Sequence, residues 1–243
     1  MAAKQISLVQ FDSVPENPKR NLVEMERLVR VAAGNGARWI MFHEGTLCDY
    51  TPDLARFAEE VPDGGSTRAM SELAKRCEVY ICFGLSERCG DRSFITQVFV
   101  GPEGYVSKHR KTWIWHEPTD IGFRDEWKRY DPGDGPTLFT MDGVRAACFI
   151  CADGEAARCI ERTRLLSPQI VFYPNNRESL PDFEVFAERA KRINAPMLVT
   201  NRVGKSWVYD CRGGCVAYDR DGAIIARANR EGREEILDVT IDL

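Results

Sequence analysis

The sequence predicts a mixed α/β protein of α+β character in which sheets are covered by helices, and three observations carry that expectation. Strand-like and helix-like segments alternate through the first half of the chain, and hairpin-like strands fill its tail. No Pro/Ser-rich linker, low-complexity tract or solenoid-length repeat interrupts the 243 residues. A single domain over residues 1–243 is the simplest parse, and a hydrophobic content of 44% is enough for a substantial core.

The elements follow in order. Ile6 to Phe11 reads as a buried strand, and Asn21 to Ala33 carries apolar residues at helical spacing, closed by Gly34 and Gly36. Trp39 to Phe42 is a short apolar run ending in His43-Glu44-Gly45. Ser66 to Arg76 has a helical pattern, Val79 to Leu85 reads as a strand, and Phe94 to Val100 runs as a strand into a Gly-Pro-Glu-Gly turn. Ser107 to Asp134 lacks periodicity and is rich in Trp, Lys, Asp and Gly, so it reads as a long loop region, a kind of segment that often carries function. Strands are expected at Thr137 to Met141 and Val144 to Ile150, a helix from about Glu155 to Leu166, a strand at Ile170 to Tyr173, a helix from about Asp182 to Ile193 and a strand at Met197 to Asn201. Three more strands are expected at Gly214 to Tyr218, Ala223 to Ala228 and Glu235 to Ile241.

Charge narrows the function. Thirty-three basic residues against 37 acidic ones give a net charge of -4 without a long Lys/Arg run, so nucleic acid and anionic membrane surfaces are not expected partners. A small polar or neutral molecule suits this chain better. The N-terminal MAAKQISLVQFD has no basic region leading into an apolar one, and no later stretch is long and apolar enough to span a bilayer, which predicts a soluble cytoplasmic protein. In that setting the 9 cysteines read as reduced thiols.

One cysteine stands out. Cys151 closes the apolar run VRAACFI and is followed by Ala152, Asp153 and Gly154, a turn and helix N-cap signal. A thiol at the start of a helix meets free N–H groups, which favour thiolate, and it can be exposed for attack. A packed core cysteine is the rival reading. The CxxC of Cys148 and Cys151 reads as coincidental, because Cys148 lies inside the strand pattern and should face the other way. Neither a zinc site from these residues with Cys211 and Cys215 nor a nucleotide site at the glycine pairs is expected, so no metal and no cofactor are assigned.

A nucleophile needs a base. His43, His109 and His116 are the only histidines, and a Cys/His pair is one option. Glu44, between an apolar run and Gly45, is the other: a partly desolvated carboxylate has a raised pKa suited to proton transfer. Lys111, near Trp113 and Trp115, could aim an ammonium at a reacting carbonyl oxygen.

Together these positions resemble the nitrilase superfamily, the carbon-nitrogen hydrolases, across nearly the whole chain. The early Pro-Glu with a Tyr six residues on appears as His43-Glu44 and Tyr50, the Tyr-Arg-Lys motif as His109-Arg110-Lys111, and the cysteine motif as Ile150-Cys151-Ala152-Asp153. A second glutamate ahead of a Pro-Gly-Asp turn falls on Glu126, a Tyr-Pro strand end on Tyr173-Pro174, and the late Asn-Arg-x-Gly on Asn201 to Gly204. The resemblance implies a four-layer α-β-β-α sandwich of the nitrilase type, assembled as a homodimer or larger homo-oligomer. It implies Cys151 as nucleophile, Glu44 as base, Lys111 with the Ala152 N–H as oxyanion donors, and Glu126 in support. Tyr50, Asn175, Asn176 and Arg177 are expected at the substrate, Arg177 meeting a carboxylate if there is one. The implied reaction is hydrolysis of an amide or N-carbamoyl bond of a small molecule, since Cys-Ala-Asp resembles the amidase-type motif more than the Cys-Trp-Glu of nitrilases. Nitrile hydrolysis and a catalytically silent binding protein are the alternatives. The chain departs from the family at His43 and His109. After the cysteine, an ungapped reading leaves Arg158 and Glu161 as a sign-exchanged pair one helical turn apart, and a gapped reading uses Glu155 and Arg158 instead.

Overall fold

The computed structural model describes residues 3–243. The first half contains β1 (Ala3–Gln10), α1 (Pro18–Gly34), β2 (Trp39–Met41), α2 (Leu54–Phe57), α3 (Gly65–Cys77), β3 (Tyr80–Cys89), β4 (Arg92–Gly101) and β5 (Gly104–Arg110). The second contains β6 (Phe139–Met141), β7 (Val144–Cys148), α4 (Ala157–Leu166), β8 (Ile170–Pro174), α5 (Phe183–Ile193) and β9 (Met197–Thr200). The chain closes with β10 (Val203–Ser206), β11 (Tyr209–Arg212), β12 (Val216–Tyr218), β13 (Ile224–Arg227) and β14 (Glu235–Asp242).

Two six-stranded sheets result, ordered β14-β1-β2-β3-β4-β5 and β13-β12-β9-β8-β7-β6. Each has three parallel strands at its centre, β1-β2-β3 in one and β7-β8-β9 in the other, with antiparallel strands outside them. The sheets pack face to face through Leu8, Trp39, Met41 and Phe99 on one side and Ala146, Cys148, Phe172 and Leu198 on the other. Phe172 is the central contact, with ring centroids 5.9 Å from Trp39 and 5.2 Å from Phe99. The outer face of the first sheet is covered by Met25, Leu28 and Val29 of α1 and Met70 and Leu73 of α3; that of the second by Ile160 of α4 and Phe186, Ala190 and Ile193 of α5. These are the four expected layers.

Local chemistry explains the helix starts. Asn17 caps α1 by accepting from Arg20 N, and Pro18 occupies the first turn, where its missing N–H has no partner to lose. Asp182 caps α5 through Val185 N.

Several expectations need correction. The segment read as loop from Ser107 begins inside β5, a strand without alternating apolar residues because Lys108 and Arg110 both bond the buried carboxylate of Glu87. Only after Arg110 does the chain become irregular, with short 3₁₀ turns at Ile121–Phe123 and Glu126–Lys128. The helix after Cys151 does not start at Glu155: residues Cys151–Glu155 form a 3₁₀ turn, and α4 follows with no side-chain cap. Asp153 cannot cap α4 because its oxygens are taken by other donors. The small sheet of β10 and β11 was not expected either; its strands are short, half-exposed and joined at Trp207, whose φ is 48°.

Candidate active site

The parallel strands of both sheets, and β5, which runs in the same direction as β3, end at one place. Glu44 follows β2, Lys111 follows β5, Cys151 lies just beyond β7, and Asn175 and Asn201 follow β8 and β9. Carboxyl ends of parallel strands are the usual location of binding sites in such folds.

Lys111 is fully buried, with an exposure of 0%, and its ammonium donates to Glu44 Oε1 at 2.7 Å and Glu126 Oε1 at 2.5 Å. Burial works against its charge, but the carboxylates of Glu126 and Glu44 prevail and hold it protonated well above the ordinary lysine range. Two of its three protons are used, leaving one for a ligand. Glu126 Oε2 also accepts from Trp115 N at 2.7 Å. Burial pushes the Glu126 carboxyl up to about 7, against the pull of Lys111 and with the push of Glu44. Among the described residues, Oε2 of Glu44 has no hydrogen-bond partner, which leaves one buried acceptor free. The Glu44 turn needs a glycine beside it: a Cβ on Gly84 would strike Gly45 N and crowd the Glu44 carbonyl.

Cys151 has a left-handed backbone, φ 43°, uncommon for a residue with a side chain. Its carbonyl accepts from Tyr173 OH at 2.8 Å, and Arg189 donates to that hydroxyl at 2.9 Å. The thiol is pushed up to about 11, chiefly by burial and then by the Glu44 charge, with Arg177 and Lys111 pulling the other way. The expected resting thiolate is therefore corrected to a resting thiol: the helix end lies farther on, and a neighbouring carboxylate opposes ionisation.

Cys151 opens onto a cavity of about 180 Å³ whose wall includes Tyr50, Glu126, Ala152, Asn176 and Arg177. Of the expected residues, Glu44, Lys111 and Asn175 are not in that wall; Glu44 and Lys111 lie behind Glu126, to which the ammonium is bonded, and Asn175 is also set back. Its carbonyl accepts from Glu44 N at 3.3 Å and its Oδ1 from Arg177 Nε at 2.9 Å, so it acts behind the surface. Arg177 also donates to Glu155 at 2.8 Å, and its backbone N–H is fixed by Asn201 Oδ1 at 2.8 Å. Arg124 and Glu178, which the sequence reading passed over, form a second pair at the rim, 3.5 Å apart. A larger groove of about 760 Å³ runs along α4 and α5 and contains none of Glu44, Lys111 and Cys151.

The histidines are engaged elsewhere. His43 is held neutral, pushed down to about 3 by burial and by Arg202, and its Nδ1–H donates to the Glu44 carbonyl at 2.7 Å. His109 bonds Asp153 and His116 bonds Asp125, so among the described residues no histidine is hydrogen-bonded to Cys151 as the Cys/His alternative requires. The pair expected between Arg158 and Glu161 does not form: Glu161 binds Arg164, and the Arg158 guanidinium lies 4.8 Å from the Trp113 ring. Glu155 pairs with Arg177 rather than with Arg158. Cys148 is sealed between the sheets.

Two buried carboxylates brace the site from behind: Asp49, which the sequence did not single out, and Asp153, which it offered as a helix cap. Asp49, itself in a left-handed turn, accepts from Asn176 Nδ2 at 2.6 Å and from Arg202 Nη1 at 2.5 Å, and the Ser206 hydroxyl also bonds it. Asp153 accepts from Ile150 N, Thr112 N and Trp113 N and meets His109 Nε2. The cysteine motif contained Asp153, but its partners lie some forty positions earlier, beyond any local pattern.

Comparison with known proteins agrees with this architecture. The carbon-nitrogen hydrolase family model matches residues 5–243. The chain belongs to that family, and its relatives include amidases. It is 28% identical to an omega-amidase of Xenopus tropicalis over 100% of this chain and 90% of the relative. It is 23% identical to a nitrilase of Pyrococcus abyssi over 98% and 90%. A solved Nesterenkonia amidase superposes with a TM-score of 0.83 at 18% identity, over 98% of this chain and 90% of that one, so the four layers are the nitrilase fold.

Proposed function

We propose that the protein hydrolyses an amide or N-carbamoyl carbon-nitrogen bond of a small molecule through a thioester on Cys151. The observation that carries this reading is the Lys111 ammonium clamped between Glu44 and Glu126 beside the cavity that holds the cysteine. Glu44 takes the thiol proton on its unpartnered oxygen as Sγ attacks the carbonyl carbon. The third Lys111 proton and the Ala152 N–H stabilise the oxyanion, each such donor contributing about 2.7 to 4 kcal/mol. The C–N bond breaks, the departing nitrogen leaves with the proton from Glu44, and the acyl group remains on sulfur. Water, deprotonated by Glu44, then attacks the thioester; the carboxylic or carbamic acid departs and the sulfur regains its proton.

A substrate carboxylate at Arg177 must compete with Glu155 and Asn175, which already hold that guanidinium. The omega-amidase name of the Xenopus tropicalis relative favours an amide, and the nitrilase name of the Pyrococcus abyssi relative keeps nitriles in the screen. We place the enzyme in the cytoplasm, as a homodimer or larger assembly; fractionation and light scattering test both.

The decisive experiment is an ammonia-release screen over amides, ureido acids and nitriles, with Cys151→Ala as control and the acyl-enzyme sought by mass spectrometry. Turnover with an acyl adduct on Cys151 is expected. Undiminished activity in Cys151→Ala defeats the reading. Arg177→Ala, assayed on carboxylate-bearing and uncharged amides, tests that arginine; equal losses on both remove its carboxylate role.

A further inference from the structure

Lys111 leaves β5 of the first sheet and Cys151 lies beyond β7 of the second, so no strand ladder fixes the distance between them. One buried carboxylate spans that gap. Asp153 Oδ1 accepts from Thr112 N at 2.8 Å and Trp113 N at 2.6 Å, the two residues after Lys111. Its Oδ2 accepts from Ile150 N at 2.9 Å, just before Cys151, and lies 2.9 Å from His109 Nε2, two residues before Lys111. Asp153 is 0% exposed and His109 4%.

We propose that Asp153, with His109 as its side-chain donor, is the positioning residue that sets the separation of the Lys111 ammonium from the Cys151–Ala152 turn, and with it the geometry of the oxyanion site. This rests on the thioester reading above. The two oxyanion donors come from different sheets, and both must point at one oxygen. A carboxylate has about four acceptor directions, and all four are used here, with none left for a helix cap or a substrate. Bonds from N–H to an ionised acceptor are the stronger kind, and these four brace both sides of the gap. His109 supplies the one side-chain donor among these four bonds. It has a ring N–H to give the carboxylate, and a glutamine side chain can place an N–H there as well. Phenylalanine fills the volume but cannot donate.

The test compares His109→Phe, His109→Gln and Asp153→Asn with wild type in the full chain. It reads kcat and KM on an amide found by the screen, melting temperature, and iodoacetamide alkylation of Cys151 against pH, resolved by peptide mass. We expect His109→Phe to lower kcat roughly ten- to a hundredfold with KM nearly unchanged, the scale of an ångström-level misplacement. His109→Gln recovers most of that loss, and Asp153→Asn falls at least as far as His109→Phe. The alkylation midpoint of Cys151 moves upward in His109→Phe and Asp153→Asn, because Lys111 no longer sits where it favours the thiolate. Wild-type kcat in His109→Phe, no recovery in His109→Gln, or a loss confined to KM or melting temperature overturns the proposal. If wild type turns over neither an amide nor a ureido acid, the thioester reading fails by itself; an unmoved alkylation midpoint in both variants then overturns the positioning role separately.

Discussion

The first sheet brings buried charge to the cavity, whereas the second brings backbone shape, its Arg177–Glu155 pair lying partly exposed. Glu44 and Lys111 extend from β2 and β5 as ionised groups with nearly no exposure, and Glu126, on the loop after β5, joins them. From β7, β8 and β9 come a thiol that rests neutral in a left-handed turn and two asparagines that bond backbone groups. The charged side is stable only as a set, since each buried ion depends on the others. The thiol and the two asparagines depend on local geometry and can be perturbed one at a time. The two sheets should therefore fail differently under mutation.

The largest contrast comes from Lys111→Met, which leaves Glu44 and Glu126 as unpaired carboxylates in a dry site. Urea denaturation should show a loss of about 3–5 kcal/mol, and kcat should fall about 10² to 10³-fold. Adding Glu126→Gln should return part of the stability and none of the turnover. If the single variant is as stable as wild type, the charged set is not cooperative.

Gly84→Ala asks how tightly the charged side is seated. Its Cβ would push into the backbone at Gly45 and Glu44, so a loss of about 1–3 kcal/mol is expected from calorimetry, with a fall in kcat as Glu44 shifts. On the other sheet, Asn201→Ala strips the partners of Arg177 N and O and Gly213 O. We expect about 2 kcal/mol lost and a higher KM for carboxylate substrates, with kcat changed less than in Gly84→Ala.

The smallest effect is a pH slope. Glu126 has its folded pKa raised from 4.5 to about 7. The folded state therefore keeps a proton that the unfolded chain has released, and this carboxyl lowers stability as pH rises from about 4.5 to about 7. Glu126→Gln should gain on wild type across that window in melting temperature; a constant difference would show that Glu126 stays ionised throughout.

The legibility of the molecule followed the same division. Strand-end positions could be read because an apolar run followed by His43-Glu44-Gly45 or Cys151-Ala152-Asp153 is a local signal. The start of α1 was set too late although Asn17-Pro18 announces it, a cap followed by the one residue that needs no bond in the first turn. β5 was hidden because its polar residues are satisfied by Glu87, about twenty positions earlier in the chain. The roles of Asp49 and Asp153 were hidden for the same reason, as Arg202 and Thr112 become their partners only when distant segments meet. What escaped the sequence was long-range pairing of polar groups, which leaves no periodicity.

The pair of Asp49 and Arg202 has a consequence for how this protein can change over generations. Both side chains are wholly enclosed, and Arg202 spends its other donors on the Ser13 and Lys205 carbonyls. Taking two ions out of water offsets most of what their attraction contributes, yet stranding either one costs about 3–5 kcal/mol. Each position is thus frozen while the other stands, and drift at this spot can proceed only by near-simultaneous replacement. Descendants should carry both residues or neither.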